Sequence, residues 1–330
     1  MAALDIGLVN NMPDAALEAT ERQFVTLLNE AAGDDITVRL TFYALPNVPR
    51  TDLGRRELTS YSEIGDLWSR SLDGIIVTGT EPLAANLNDE PYWSDLTQLV
   101  EWAEQNTSSA VWSCLAAHAA VLYMDGIRRC RFSEKRFGIF EHLPVGDHFL
   151  TAGAPSRLRI PHSRWNDLQE DELKAADYAI VTRSEDGCVD AFVKRRKSLF
   201  VFFQGHPEYE AETLLLEYRR DIKRFLRRES DVYPPVPNGY SNPAWTDFQR
   251  RALSDRREEL IGAFPGALAS GGIANTWRKD AVRIYHNWLL YLVEQKGRTI
   301  QAQPEWTSVP SGFRGADSFG RINPSRKVRQ

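Results

Sequence analysis

The sequence predicts an α/β protein with a mainly parallel sheet flanked by helices, extended by a C-terminal elaboration. Three observations carry that prediction. Short apolar runs alternate with amphipathic segments of helical period from Leu4 to Tyr123. The runs are continuously apolar instead of alternating, which is the pattern of strands covered on both faces. Each run also gives way to a breaking or polar residue, so Asn11, Gly79 and Cys114 share the carboxyl rim of the sheet, where open α/β sheets bind ligands.

Leu4-Asp5-Ile6-Gly7-Leu8-Val9 is the expected first strand, and Leu17, Phe24, Leu27, Leu28 and Ala31 recur at helical spacing after it. Residues 36–45 are β-rich and close at Pro46 and Pro49. Residues 73–80 form a third strand running into Gly79, followed by a helix marked by Trp93, Leu96, Leu99, Val100 and Ala103. A fourth strand ends at Cys114, and an alanine-rich helix follows directly. Beyond it, residues 137–142, 156–160, 178–182, 188–193 and 199–203 are expected strands. The last leads into Gln204-Gly205-His206-Pro207-Glu208, where Pro207 suits the first turn of the long helix marked by Leu214, Leu215, Tyr218, Ile222 and Phe225. Residues 1–228 are thus read as the main domain, 229–300 as a helical elaboration packed on it, and 301–330 as a flexible tail rich in Pro, Ser, Gly and Arg.

Composition narrows the function classes. A chain of 330 residues, 42% hydrophobic and 26% charged, can bury a large core. Its formal net charge of -5 opposes bulk attraction to nucleic acid or to an anionic membrane, so small-molecule partners are expected. Three cysteines without CxxC spacing suggest neither a disulfide framework nor a zinc site, and the six histidines show no paired ligand spacing, so no metal is expected. Without a signal segment or a membrane-length apolar run, the expected location is cytoplasmic.

Cys114 carries the chemistry. A cysteine heading a helix meets unpaired backbone N–H groups and the positive end of the helix dipole, which favour the thiolate. The same amides can hold an oxyanion. The plainer reading is a buried cysteine filling apolar space. His206 and Glu208 shift the balance, because a nucleophile needs a base and the base needs a group that orients it. Each has its own plain reading: a His before Pro can cap a helix, and a Glu in the first turn suits the dipole.

In order, Asn11-Met12-Pro13, Gly74-Ile75-Ile76-Val77-Thr78-Gly79, Asn88-Asp89 with Tyr92-Trp93, Cys114, Ser133-Glu134-Lys135, Glu141-His142, Pro161-His162-Ser163-Arg164, Gly205-His206-Pro207-Glu208-Tyr209 and Arg220-Asp221 resemble the homoserine O-acyltransferases, the homoserine O-succinyltransferase family of methionine biosynthesis. That family lies within the class I glutamine amidotransferase-like superfamily, and the resemblance implies its fold. It also implies Cys114 as a nucleophile acylated to a thioester, His206 as proton acceptor and Glu208 as the third member. By the same resemblance Lys135, Ser163 and Arg220 bind the amino acid, backbone groups at Gly79 and Leu115 hold the oxyanion, and the chain forms a homodimer. An α-carboxylate suits the planar fork of Arg, and Ser can address a small polar group.

The implied reaction is ping-pong transfer from acyl-coenzyme A, a co-substrate and not a resident cofactor, to the side-chain hydroxyl of homoserine. Three departures stand out. Asp14-Ala15-Ala16 occupies the place of a family lysine, His118 stands where glutamine is usual, and Leu83 falls where the family's Gly or Glu accompanies the acyl choice. Leucine adds apolar bulk without a charge, which favours acetyl or another small acyl group over succinyl. The competing readings are an amidotransferase-like amide hydrolase, transfer to another hydroxy amino acid such as serine, and a non-enzymatic binding module on the same fold.

Overall fold

The structure, a computed structural model, describes residues 2–266 and 274–302. The tail expected at 301–330 lies outside the described residues from 303 onward. A seven-stranded sheet forms the centre, built from β1 (Ala2–Val9), β2 (Ile36–Tyr43), β3 (Leu72–Val77), β4 (Thr107–Ser113), β7 (Ala179–Ile180), β9 (Ala191–Arg195) and β10 (Leu199–Phe203) in the order β2-β1-β3-β4-β10-β9-β7. The pairs among the first five are parallel, while β9 runs antiparallel to both of its neighbours. A second, antiparallel sheet combines β5 (Cys130–Pro144), β6 (Leu158–Asp167) and β8 (Thr182–Arg183).

Both faces of the large sheet are covered, as its apolar strands require. On one side α4 (Trp93–Asn106) and α5 (Leu115–Asp125) enclose Trp112, Phe200 and Phe202. On the other, α1 (Leu17–Ala32) and the C-terminal α9 (Arg278–Ala302) bury Phe24, Leu28, Tyr285, Trp288 and Leu292 against β1, β3 and β4. The helix α7 (Thr213–Leu226) packs with α8 (Pro243–Ser254) around Tyr218, Trp245, Phe248 and Trp277. Short helices α2 (Asp52–Glu57), α3 (Ile64–Trp68) and α6 (Glu170–Ala175) fill the connections. Among the described residues no helix is long and apolar enough to cross a membrane.

Several expected boundaries move, with β5 and β6 extending well beyond the strands expected at 137–142 and 156–160. The strand expected at 178–182 is cut in two, because Ile180 pairs with Phe192 in the large sheet whereas Thr182 pairs with Pro144 in the small one. The strand expected at 188–193 starts at Ala191, since Asp190 turns its backbone to Thr182 and Gln204. Pro207 does not open a helix: α7 begins at Thr213, six residues later than the pattern suggests. Contacts from outside hold the intervening turn, with the His206 N–H donating to Pro161 O at 2.8 Å and Trp277 Nε1 donating to Tyr209 O at 2.9 Å.

Candidate active site

In-register pairing of β10 with β4 sets Phe203 beside Ser113, the last residues of the two strands. Cys114 follows at once, and its N–H donates to Phe203 O at 2.7 Å. Its backbone lies at φ 52° and ψ -112°, a conformation that costs a non-glycine residue energy. The turn thereby holds the cysteine above the N-terminus of α5, as in strand-to-helix nucleophile elbows. His206 leaves the neighbouring strand end, and its Nδ1 bonds to Glu208 Oε1 at 2.8 Å. Cys114 lies close enough to the imidazole to strengthen its hold on a proton. Tyr209 stacks on the imidazole with centroids 4.2 Å apart, and its hydroxyl donates to Glu217 Oε1 at 2.6 Å. Burial works against charge on His206, yet its interactions with Glu208 and Cys114 together outweigh it and raise the imidazole well above its usual range.

Gly79 ends the approach of β3 to this turn. A Cβ there would lie 2.5 Å from Leu115 Cβ and 3.0 Å from Ala116 N, so only glycine lets the two backbones meet. The structure thus brings Gly79 and Leu115 together beside Cys114.

The three residues expected to hold an amino acid also converge. Lys135 on β5 donates to Asp221 Oδ2 at 2.8 Å, Ser163 on β6 donates to Glu217 Oε2, and Arg220 on α7 lies 3.1 Å from Asp221 and 3.8 Å from Glu217. Phe137 pairs with Ser163 across β5 and β6, which brings Lys135 and Ser163 to the same end of that ladder. Burial opposes charge on Arg220, but Glu217 and Asp221 keep its guanidinium more firmly protonated than usual. Glu217 and Tyr209 were given no role by the sequence reading. The signal was present: Glu217, Arg220, Asp221 and Arg224 follow three- and four-residue spacings and so occupy one face of α7.

These groups line one cavity of about 1420 Å³, large enough for more than a small amino acid. Leu83 does not belong to that lining. The Glu90 carboxylate accepts the N–H groups of both Leu83 and Ala84 at 2.7 Å, which fixes the loop with the Leu83 side chain 74% exposed. The bulk of Leu83 therefore does not narrow the cavity against a succinyl group. His118, one turn into α5, is buried and bonds through Nε2 to Gln204 Oε1 at 2.8 Å. That oxygen also accepts from Arg164 and Leu168 N, so Nε2 carries the proton and Nδ1 is left as an acceptor. Burial pushes this imidazole down to about 3. The Asp14 carboxylate, near the missing family lysine, is occupied by Thr51 and Arg50, while Ala15 and Ala16 line the cavity. Among the described residues no cluster of His, Cys, Asp and Glu could hold a metal ion.

The model of the family described as homoserine O-succinyltransferase matches residues 1–299. The homoserine O-succinyltransferase of Rhodopseudomonas palustris is 46% identical over 297 residues, spanning 88% of this chain and 89% of that protein. That of Bradyrhizobium japonicum is 42% identical over 301 residues, spanning 88% and 90%. Among solved structures, a glutamine amido transferase from Methylobacillus flagellatus is similar over 88% of this chain and 95% of its own, with 16% identity and a TM-score of 0.49.

Proposed function

Because the chain belongs to the homoserine O-succinyltransferase family, and is on that ground a homoserine O-acyltransferase of methionine biosynthesis, we propose that it moves a succinyl group from succinyl-coenzyme A to the homoserine hydroxyl through a thioester on Cys114. The relatives' names favour succinyl over the acetyl group expected from Leu83, which is turned out of the cavity. The family resemblance extends this reading to a homodimer, and the three cysteines without a disulfide framework favour a reducing cytoplasm.

The observation that carries the mechanism is a cysteine on a strained strand-to-helix turn beside a buried imidazole that a carboxylate orients. Cys114, as thiolate, attacks the thioester carbonyl of the donor. The oxygen that becomes negative is held by backbone N–H groups at the meeting of Gly79 with the α5 N-terminus. Collapse expels coenzyme A as a thiolate, which takes the proton of His206 and leaves as the thiol. Neutral His206 then accepts the hydroxyl proton of homoserine while that oxygen attacks the enzyme thioester. Expulsion of the Cys114 thiolate completes the O-acyl ester and restores the cysteine–imidazolium pair.

The acceptor site follows from charge. Arg220 offers a fork to the α-carboxylate, and Glu217 with Asp221 offers carboxylates to the α-ammonium. Ser163 and Lys135 brace those carboxylates. Intact-protein mass spectrometry after mixing with succinyl-coenzyme A tests the scheme. A single succinyl adduct is expected, absent from Cys114→Ala and discharged by homoserine. Failure to form any adduct, with release of glutamate from glutamine instead, sinks the reading in favour of an amide hydrolase.

A further inference from the structure

A succinyl group carries a carboxylate two methylenes beyond its thioester carbonyl. Such a charge enters a cavity at a cost unless a cation replaces its water. Most cations along the cavity already have partners: Lys135 and Arg220 hold Asp221, Arg164 holds Asp167 at 2.6 Å, and Arg224 holds Glu81 at 2.8 Å. Arg131 is exposed and lies over the Trp165 ring, and Arg128 is exposed.

Arg129 differs from all of these. It lines the cavity and is half-buried, and among the described residues no ion pair or hydrogen bond to a protein group engages it. It stands immediately before β5, where the chain returns from the helix that Cys114 heads. Burial weakens its hold on its proton, and Tyr92, Glu90 and Cys114 act in the opposite direction. The one carboxylate of that set, Glu90, spends Oε1 on the N–H groups of Leu83 and Ala84. What remains is a partly desolvated guanidinium at the cavity wall, within electrostatic reach of the atom to be acylated.

We propose that Arg129 receives the distal carboxylate of the succinyl group and so selects a dicarboxylic over a monocarboxylic acyl donor. The inference rests on the succinyl-transfer reading above. Its chemistry is a planar fork giving two parallel charge-assisted hydrogen bonds to a carboxylate, which a lysine ammonium cannot reproduce.

The test compares rates of thioester formation from succinyl- and butyryl-coenzyme A, which share chain length and differ by carboxylate against methyl. In Arg129→Met the succinyl rate is expected to fall roughly 10- to 100-fold, the range of one charged hydrogen-bonding contact, with the butyryl rate unchanged or higher. Arg129→Lys is expected to keep part of the preference. Because each ratio is taken within one preparation, loss of folded enzyme cancels. A wild-type enzyme that takes succinyl- and butyryl-coenzyme A, with Arg129→Met slowing both alike, overturns the assignment alone. A wild-type enzyme acylated by other donors but not by succinyl-coenzyme A overturns the donor reading and the assignment with it. Should Arg129→Met not fold, an unchanged succinyl-to-butyryl ratio in Arg129→Lys also overturns it.

Discussion

At His206 burial and charge oppose one another, and the balance governs both reactivity and stability. Burial alone would empty the ring of its proton, but Glu208 and Cys114 hold it there, above the ordinary value of 6.5. A group whose folded pKa is raised binds its proton more tightly in the folded chain, so it stabilises most where both states are protonated. The stability that wild type gains over His206→Gln should therefore be full below about pH 6.5 and decline as pH rises through the elevated folded value. Urea titrations across that range measure it, and a difference that grows with pH would refute the cationic assignment. Residues at strand ends were legible in the sequence because the alternation of elements fixes where a strand must stop. Cys114 and His206 are of this kind. Leu83 was not, since its direction depends on Glu90, which turns the loop from seven residues away. Arg129 is one of several basic residues in the sequence, and only the partners of some and the exposure of others set it apart.

Between elements, the active turn depends on how closely β3 approaches α5. Gly79 makes that approach possible, and the clash a methyl would meet there is with backbone as well as with Leu115. Gly79→Ala should push the strand end away from the helix N-terminus and misplace the donors for the developing oxyanion. Loss of one such donor costs about 10²–10³ in rate. A fall of that order is expected in single-turnover acylation, with the variant still folded and destabilised by roughly 1–3 kcal/mol as in an overpacked core. Near-wild-type acylation would remove Gly79 from the oxyanion site. At this scale the sequence announced the parallel core well, because strands buried on both faces are apolar throughout. It announced the small sheet less well. The lengths of β5 and β6 and the split between β7 and β8 follow from which sheet each residue joins, and such long-range pairing leaves little trace in local pattern. The late start of α7 has the same origin, in bonds from Pro161 and Trp277 to the His206–Tyr209 turn.

Across the whole molecule, the C-terminal helix joins the nucleophile's strand to the opposite face of the sheet. Within the segment expected as a helical elaboration packed on the main domain, α9 forms a layer of the core, packed on α1 and covering β1, β3 and β4. Trp288 ties it to the sheet: 1% exposed, it donates from Nε1 to Ser109 Oγ at 3.0 Å, inside the strand that leads to Cys114. Gly74 on β3 leaves room for the same indole, since a Cβ there would lie 2.9 Å from it. A helix so placed cannot leave without uncovering the sheet, so sheet, helix and active turn should unfold together. Trp288→Ala should cost about 3–5 kcal/mol, the range for removing a buried aromatic, even though the residue lies across the sheet from the cavity. The measurement is urea unfolding followed in parallel by circular dichroism and by alkylation of Cys114. Coincident midpoints, shifted together in the variant, are expected. If Cys114 became reactive well before the helical signal was lost, the active turn would be a separately melting unit, and the layered core would not be what holds the cysteine in its strained conformation.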